Sequence, residues 1–177
     1  MSVPPEGNPF PPPQPVENAV KPAGRVLRAA VTAWGTAQRT SQILVAGGSM
    51  WPTLHAADQV LIDHSKQSFK PGDVIVFWQG EMLVIHRLLR IMPDGTFQTA
   101  GDACICNDLP VAMEQVVGIG VEVYTANGLF RLDTPGARCL AAWLVRTFPL
   151  KRWFGVRQVL RAIIWLFTRF VLRHKTV

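Results

Sequence analysis

Acidic residues run out early in this chain. None of its twelve Asp and Glu lies beyond Asp133, although 18 Lys and Arg give a formal charge of +6. Residues 1–138 hold ten Lys/Arg against all twelve acids, net −2, whereas residues 139–177 hold eight Lys/Arg against none, net +8. An even excess of this size would point to an anionic partner such as nucleic acid; an excess confined to one end characterises that end alone. Cysteine is scarce as well. Cys104, Cys106 and Cys139 cannot all pair within one chain and do not make a disulfide scaffold, so a reducing compartment is permitted. No apolar run reaches the roughly 18 residues of a membrane span. The start, with eight prolines in 22 residues and no apolar stretch behind a basic flank, is not a secretory signal peptide. No Gly-rich phosphate loop and no internal repeat occur, which argues against a nucleotide site and against a solenoid.

What remains is enough for one core: 177 residues, 49% hydrophobic and 17% charged. Residues 1–22 are too proline-rich to offset the entropy of ordering and are expected to form a disordered tail. In 23–40, Leu27, Ala30, Val31 and Trp34 recur at helical spacing, which predicts a short helix or linker, weakened by Gly35 and three threonines. The period then shortens. Segments 41–47, 58–64, 73–79, 81–91, 96–101 and 114–124 are rich in Val, Ile, Leu and Phe. Turn signals separate them, among them Pro71-Gly72-Asp73, Gln79-Gly80, Pro93-Asp94-Gly95 and Asn127-Gly128. Six or seven short strands with tight connections and no βαβ spacing predict a mainly β, antiparallel domain over 41–133.

Residues 137–174 read as a basic amphipathic helical region. CLAAWLVRTF (139–148) ends ahead of Pro149, which disfavours helix at the residue before it. Between 156 and 173, a helical wheel gathers Val156, Val159, Leu160, Ile163, Leu166, Phe167, Phe170 and Val171 on one arc. Arg157, Arg161, Thr168, Arg169 and Arg173 fill the other, with Trp165 and Leu172 interrupting it. Such a helix suits the plane of a membrane surface, with Trp143, Trp153 and Trp165 at headgroup level. It equally suits packing on the β domain with its arginines solvated. Nucleic acid is not the expected partner, since no binding fold accompanies the charge.

Three places can carry chemistry. Gly47-Gly48-Ser49-Met50-Trp51-Pro52 follows an apolar strand directly; the glycines allow a tight turn that would expose the Ser49 hydroxyl and amide, and an ordinary turn reads the same way. His86 is the one imidazole in the apolar VIHRLLRI, either a satisfied half-buried histidine or the base that a serine hydroxyl needs. Asp102 and Asp108 sit in the loop TAGDACICND, where one carboxylate could accept the second imidazole N–H, and where Gly-Asp and Asn-Asp also simply form turns. Cys104 and Cys106 would supply two metal ligands at most and read as loop cysteines; no metal and no cofactor is implied. His55, His64 and His174 lie in polar stretches and read as surface residues.

The order GGSMWPTL, PGDVIVFW, VIHRLLRI, TAGDACICND, VVGIGVEVY resembles the signal peptidase I superfamily over roughly residues 41–124. Within it, the resemblance is to the archaeal and endoplasmic-reticulum-type branch, where a Ser–His pair with an Asp replaces the Ser–Lys dyad of bacterial signal peptidases and SOS-response repressors. The resemblance implies the β fold shared by those proteases, with Ser49 as nucleophile, His86 as general base and Asp108 as the orienting acid. Asp102 would share that role or brace its loop, the Gly48–Ser49 turn would hold the oxyanion, and Met50 and Pro52 would shape the Ser-Met-x-Pro turn. It implies a serine endopeptidase acting on a signal, leader or other short peptide, with small residues before the scissile bond. A non-catalytic or self-processing peptide-binding domain is the alternative. Two departures stand out: Gly47 occupies the place of an oxyanion-hole hydroxyl, and residues 25–40 are too short and polar for the usual membrane span. A peripheral location on the cytoplasmic face of a membrane, through residues 139–177, is therefore the expectation.

Overall fold

A computed structural model describes residues 39–65, 68–152, 162–163 and 165–166. The predicted Pro-rich tail lies outside these residues, as do residues 23–38 of the short helix or linker expected over 23–40, whose last residue, Thr40, opens a strand; Trp153 and most of the amphipathic helix expected over 156–173 lie outside them too. The strands are β1 (Thr40–Leu44), β2 (Gln59–Asp63), β3 (Val74–Gln79), β4 (Met82–Ile91), β5 (Phe97–Ala100), β6 (Val116–Thr125) and β7 (Gly128–Arg131). Every pairing is antiparallel, in the order β1-β2-β6-β3-β4-β5, with β7 added alongside β6. The expected mainly β architecture is what forms.

The apolar runs explain the layers. Alternate residues of a strand point to opposite faces, and both faces of this sheet are covered. Val45, Met50, Leu54, Val60, Val74 and Val123 make one core, with Ile85 against it; Ile75, Phe77, Leu88, Phe97, Val111 and Ile119 make the other, with Val84 against it. That is why β3 reads VIVFWQ without a polar alternation: five consecutive residues are buried. β3 and β4 join through the two residues Gly80-Glu81, pairing Gln79 with Met82, and Gly80 takes the positive φ (63°) that so tight a reversal requires. The register puts His86 opposite Ile75 and Arg87 opposite Val74, so these neighbours in sequence project to opposite sides.

Helix α1 (Pro135–Thr147) starts where Thr134 accepts a bond from the Ala137 N–H and Pro135 occupies the first turn. It stops ahead of Pro149, as the sequence predicts, in a short 3-10 stretch, Phe148–Arg152. Its buried stripe is Ala137, Leu140, Ala141 and Leu144, with Trp143 and Phe130 packed against it. Trp143 is half-buried against this stripe. At Gly72, where φ is +98°, a Cβ would come within 3.1 Å of the Ala141 methyl, so the glycine is what lets helix and sheet approach. Beside it, Arg138 pairs with the buried carboxylate of Asp73.

Candidate active site

Ser49 sits in the loop that leaves β1, and that loop is fastened at both ends. At its base Val45 N–H donates to Asp58 O (2.8 Å) and Ala57 N–H to Val45 O (2.9 Å); within it Trp51 N–H reaches Gly48 O (3.1 Å) and Leu54 N–H reaches Met50 O (3.0 Å). Met50 and Leu54 are buried in the first core, so the apolar residues after the serine anchor the turn while Ser49 stays at its surface. Gly47 and Gly48 both have open space where a Cβ would be, and neither has a positive φ. The steric need expected of them falls instead on Gly101. A Cβ there would lie 2.5 Å from the Ser49 carbonyl oxygen, 2.8 Å from Cys104 Sγ and 3.1 Å from His86 Nε2. Only a glycine lets the 101–108 loop close over the serine.

The structure brings Ser49, His86 and Asp108 into one line. His86 Nε2 is 3.0 Å from Ser49 Oγ, and His86 Nδ1 is 2.7 Å from Asp108 Oδ2. A carboxylate only accepts, so Nδ1 carries the proton, and the lone pair on Nε2 of a neutral ring faces the serine hydroxyl. Asp108 is itself held from β5: its N–H donates to Thr99 O (2.9 Å), its carbonyl accepts from Gln98 Nε2 (2.8 Å), and its Oδ2 accepts from Thr99 Oγ1 (2.6 Å). Burial pushes the Asp108 carboxyl up, but the bonds from His86 and Thr99 and the charge of His86 outweigh it and hold the group below the usual carboxylate value.

Asp102 stands in a different place. Its oxygens receive both arms of Arg87, Nε to Oδ1 at 2.7 Å and Nη2 to Oδ2 at 2.6 Å, and Oδ2 also accepts from Thr53 Oγ1 at 2.6 Å. Arg87 spends Nη1 on the Gly72 carbonyl (2.8 Å). Of the two roles the sequence left open for Asp102, the geometry matches bracing: one buried carboxylate ties β4, the nucleophile loop through Thr53, and the 101–108 loop together. Sequence reasoning passed over Arg87, Thr53 and Thr99. Its expectation for His64 is corrected too, since this side chain is half-buried and bonded at both ring nitrogens.

Ser49 and His86 open onto a cleft of about 540 Å³ whose walls are Ser41–Ala46 of the β1 side and Leu83–Ile85 of β4. β1 pairs only with β2, and β5 joins β4 only from Arg87 onward. Each wall therefore offers the cleft a strand edge without a partner among the described residues. Ile43, Val45, Met50, Val84 and Ile85 make its lining largely apolar. The Ser49 N–H donates to no described residue. No group of three or more His, Cys, Asp or Glu among the described residues is placed to hold a metal ion.

Residues 17–104, just under half of the chain, match the family model described as Peptidase S24-like. The match takes in Ser49, Met50, Pro52, His86 and Asp102 and stops short of Asp108. Over that stretch the chain is similar to a peptidase family, which supports the broad superfamily that its motif order implies. No curated protein and no solved structure matches the chain.

Proposed function

We propose that the protein is a serine endopeptidase in which Ser49 is the nucleophile, His86 the general base and Asp108 the acid that orients it, acting on a signal, leader or other short peptide. The observation that carries this reading is the chain of two short hydrogen bonds from Ser49 Oγ through the imidazole to Asp108 at the edge of an open cleft. The substrate lies extended between the unpaired edges of β1 and β4, adding main-chain bonds to both, with side chains against the apolar lining. Ser49 Oγ attacks the scissile carbonyl as its proton passes to His86 Nε2. Asp108 stabilises the imidazolium so formed. The oxyanion is held by the Ser49 N–H, while Gly47 and Gly48 leave space for the substrate backbone. The imidazolium then gives its proton to the leaving amine, and water reverses the sequence to release the acyl group.

The test is cleavage of a set of leader-type peptides by the purified chain, and of the chain by itself. Ser49→Ala and His86→Ala are each expected to abolish turnover with the fold intact, and Asp108→Asn to lower it by about 10³–10⁴-fold. A Ser49→Ala variant that cleaves as fast as the parent sinks the assignment. Cleavage of the chain itself with none in trans makes the self-processing alternative the better one.

We also propose that the basic C-terminal region holds the enzyme at a membrane surface. Ile163 and Leu166, both on the apolar arc, lie in helical backbone yet are 45% and 54% exposed, which favours an apolar face turned outward over one packed on the sheet. Among the described residues no helix is long and apolar enough to cross a membrane.

A further inference from the structure

A second serine and histidine meet beside the same cleft, the serine among its lining residues, and the proposed mechanism uses neither side chain. His64 follows β2, and its Nδ1 lies 2.9 Å from the Val117 carbonyl oxygen while its Nε2 lies 2.8 Å from Ser41 Oγ. A carbonyl cannot donate, so the ring proton is on Nδ1, and the lone pair on Nε2 of the neutral ring faces the Ser41 hydroxyl, which donates to it. The sheet fixes this geometry. Ser41 pairs with Ile62, and His64, two residues further on, shares the face of Ile62; the His64 N–H extends the ladder to Arg39 O at 2.9 Å. Both side chains are half-buried, and Ser41 lines the same cleft as Ser49.

A hydroxyl bonded to an imidazole lone pair, with a third group orienting the imidazole, is the arrangement that activates a serine. Here a neutral carbonyl takes the place that Asp108 has beside His86. It fixes the tautomer but stabilises an imidazolium less than a carboxylate does, so Ser41 is the weaker nucleophile of the two.

We propose that Ser41 is a second activated serine, with His64 as its base and the Val117 carbonyl as the orienting group, and that it takes an acyl or phosphonyl group from an activated ester or fluorophosphonate entering the cleft. The Ser41 Oγ bond to carbon or phosphorus forms as the hydroxyl proton passes to His64 Nε2. The bond to the leaving group breaks; an alcohol leaves with that proton, and fluoride leaves as the ion, the proton passing to solvent. Ser49 has no part in the step.

The experiment treats the full chain with a biotinylated alkyl fluorophosphonate and locates the adduct by peptide mass spectrometry. Label on Ser49 in the parent reports on the proposed peptidase site; label on Ser41 reports on this inference alone. In Ser49→Ala, label on Ser41 is expected to persist. It should vanish in Ser49→Ala/Ser41→Ala and slow at least tenfold in Ser49→Ala/His64→Gln, where glutamine keeps a hydrogen bond but not a base. A folded Ser49→Ala protein unlabelled at Ser41 overturns the proposal without any histidine variant. An unchanged rate in the folded glutamine variant overturns it as well, leaving the Ser41–His64 bond a tie between strands.

Discussion

Asp108 Oδ2 accepts two side-chain bonds at once, from His86 Nδ1 at 2.7 Å and Thr99 Oγ1 at 2.6 Å. Together with the charge of His86, these outweigh burial and place the carboxyl below its usual value. A carboxyl depressed in the folded state binds fewer protons there than when unfolded. Its stabilisation is full above the unfolded value, about 3.9 for Asp, and is lost as pH falls through the lower folded value. Thr99→Val keeps the shape of the fully buried threonine and removes one of the depressing bonds. The acid limb of a melting-temperature curve between about pH 2 and 6 should therefore start at higher pH in Thr99→Val and return in Thr99→Ser; superimposable curves would show that Thr99 does not tune Asp108. Ser49, His86 and Asp108 were legible one by one, because each is a polar exception with an obvious chemical partner: a hydroxyl after two glycines, an imidazole in an apolar strand, a carboxylate in a turn. Thr99 was not. A threonine in TFQTAG reads as an ordinary strand former, and only the closure of the 101–108 loop back onto β5 turns it into a neighbour of the carboxylate.

Strand β4 shows the same limit among elements. Its apolar run and its turn signals made the strand itself legible, as they did for β2, β3, β5 and β6, and the Pro149 break made the end of α1 legible. The order of strands was not, because β6 comes between β2 and β3 through pairs as distant in the chain as Asp63 with Ile119 and Val76 with Gly118, and no local pattern encodes that pairing. Without the order, Arg87 is just a charge beside His86. In the sheet it is 3% exposed and forks onto Asp102, so β4 grips one aspartate of the 101–108 loop from each face. Arg87→Met leaves the Asp102 carboxylate buried without its cation, a change that costs about 3–5 kcal/mol. Arg87→Met/Asp102→Leu, which removes both charges, should recover most of that loss, because a buried pair contributes little net stability over apolar residues of similar volume. Denaturant unfolding of the two variants measures the difference. Equal destabilisation in both would mean that the pair matters through packing and loop geometry rather than through charge.

At the scale of the whole molecule, the charge division sets the β domain apart from the end proposed to bind a membrane surface. The β domain, net −2 with its preceding segment, holds the candidate chemistry, and the +8 end begins within α1, whose apolar stripe is already spent on the sheet. The proposed membrane binding would then come from residues beyond α1. Removing everything from 139 onward would strip α1 from the core as well, so point substitutions are the cleaner probe. Each basic residue near an anionic lipid surface contributes about 1 kcal/mol, and the apolar residues add the area they bury. Full-length protein should co-sediment with vesicles containing about one-third anionic lipid, bind neutral vesicles less, and release as salt rises and the Debye length shrinks from about 10 Å at 0.1 M. Replacing Arg157, Arg161, Arg169 and Arg173 by Gln should weaken binding to anionic vesicles by about a hundredfold or more. Ile163→Ser/Trp165→Ser/Leu166→Ser should weaken binding to both vesicle types, while peptide cleavage in solution stays unchanged in either variant, because the cleft is built from β1, β4 and the loop bearing Ser49. Partitioning that neither set of substitutions alters would remove the C-terminal region as the anchor and return its arginines to the role of a solvated surface.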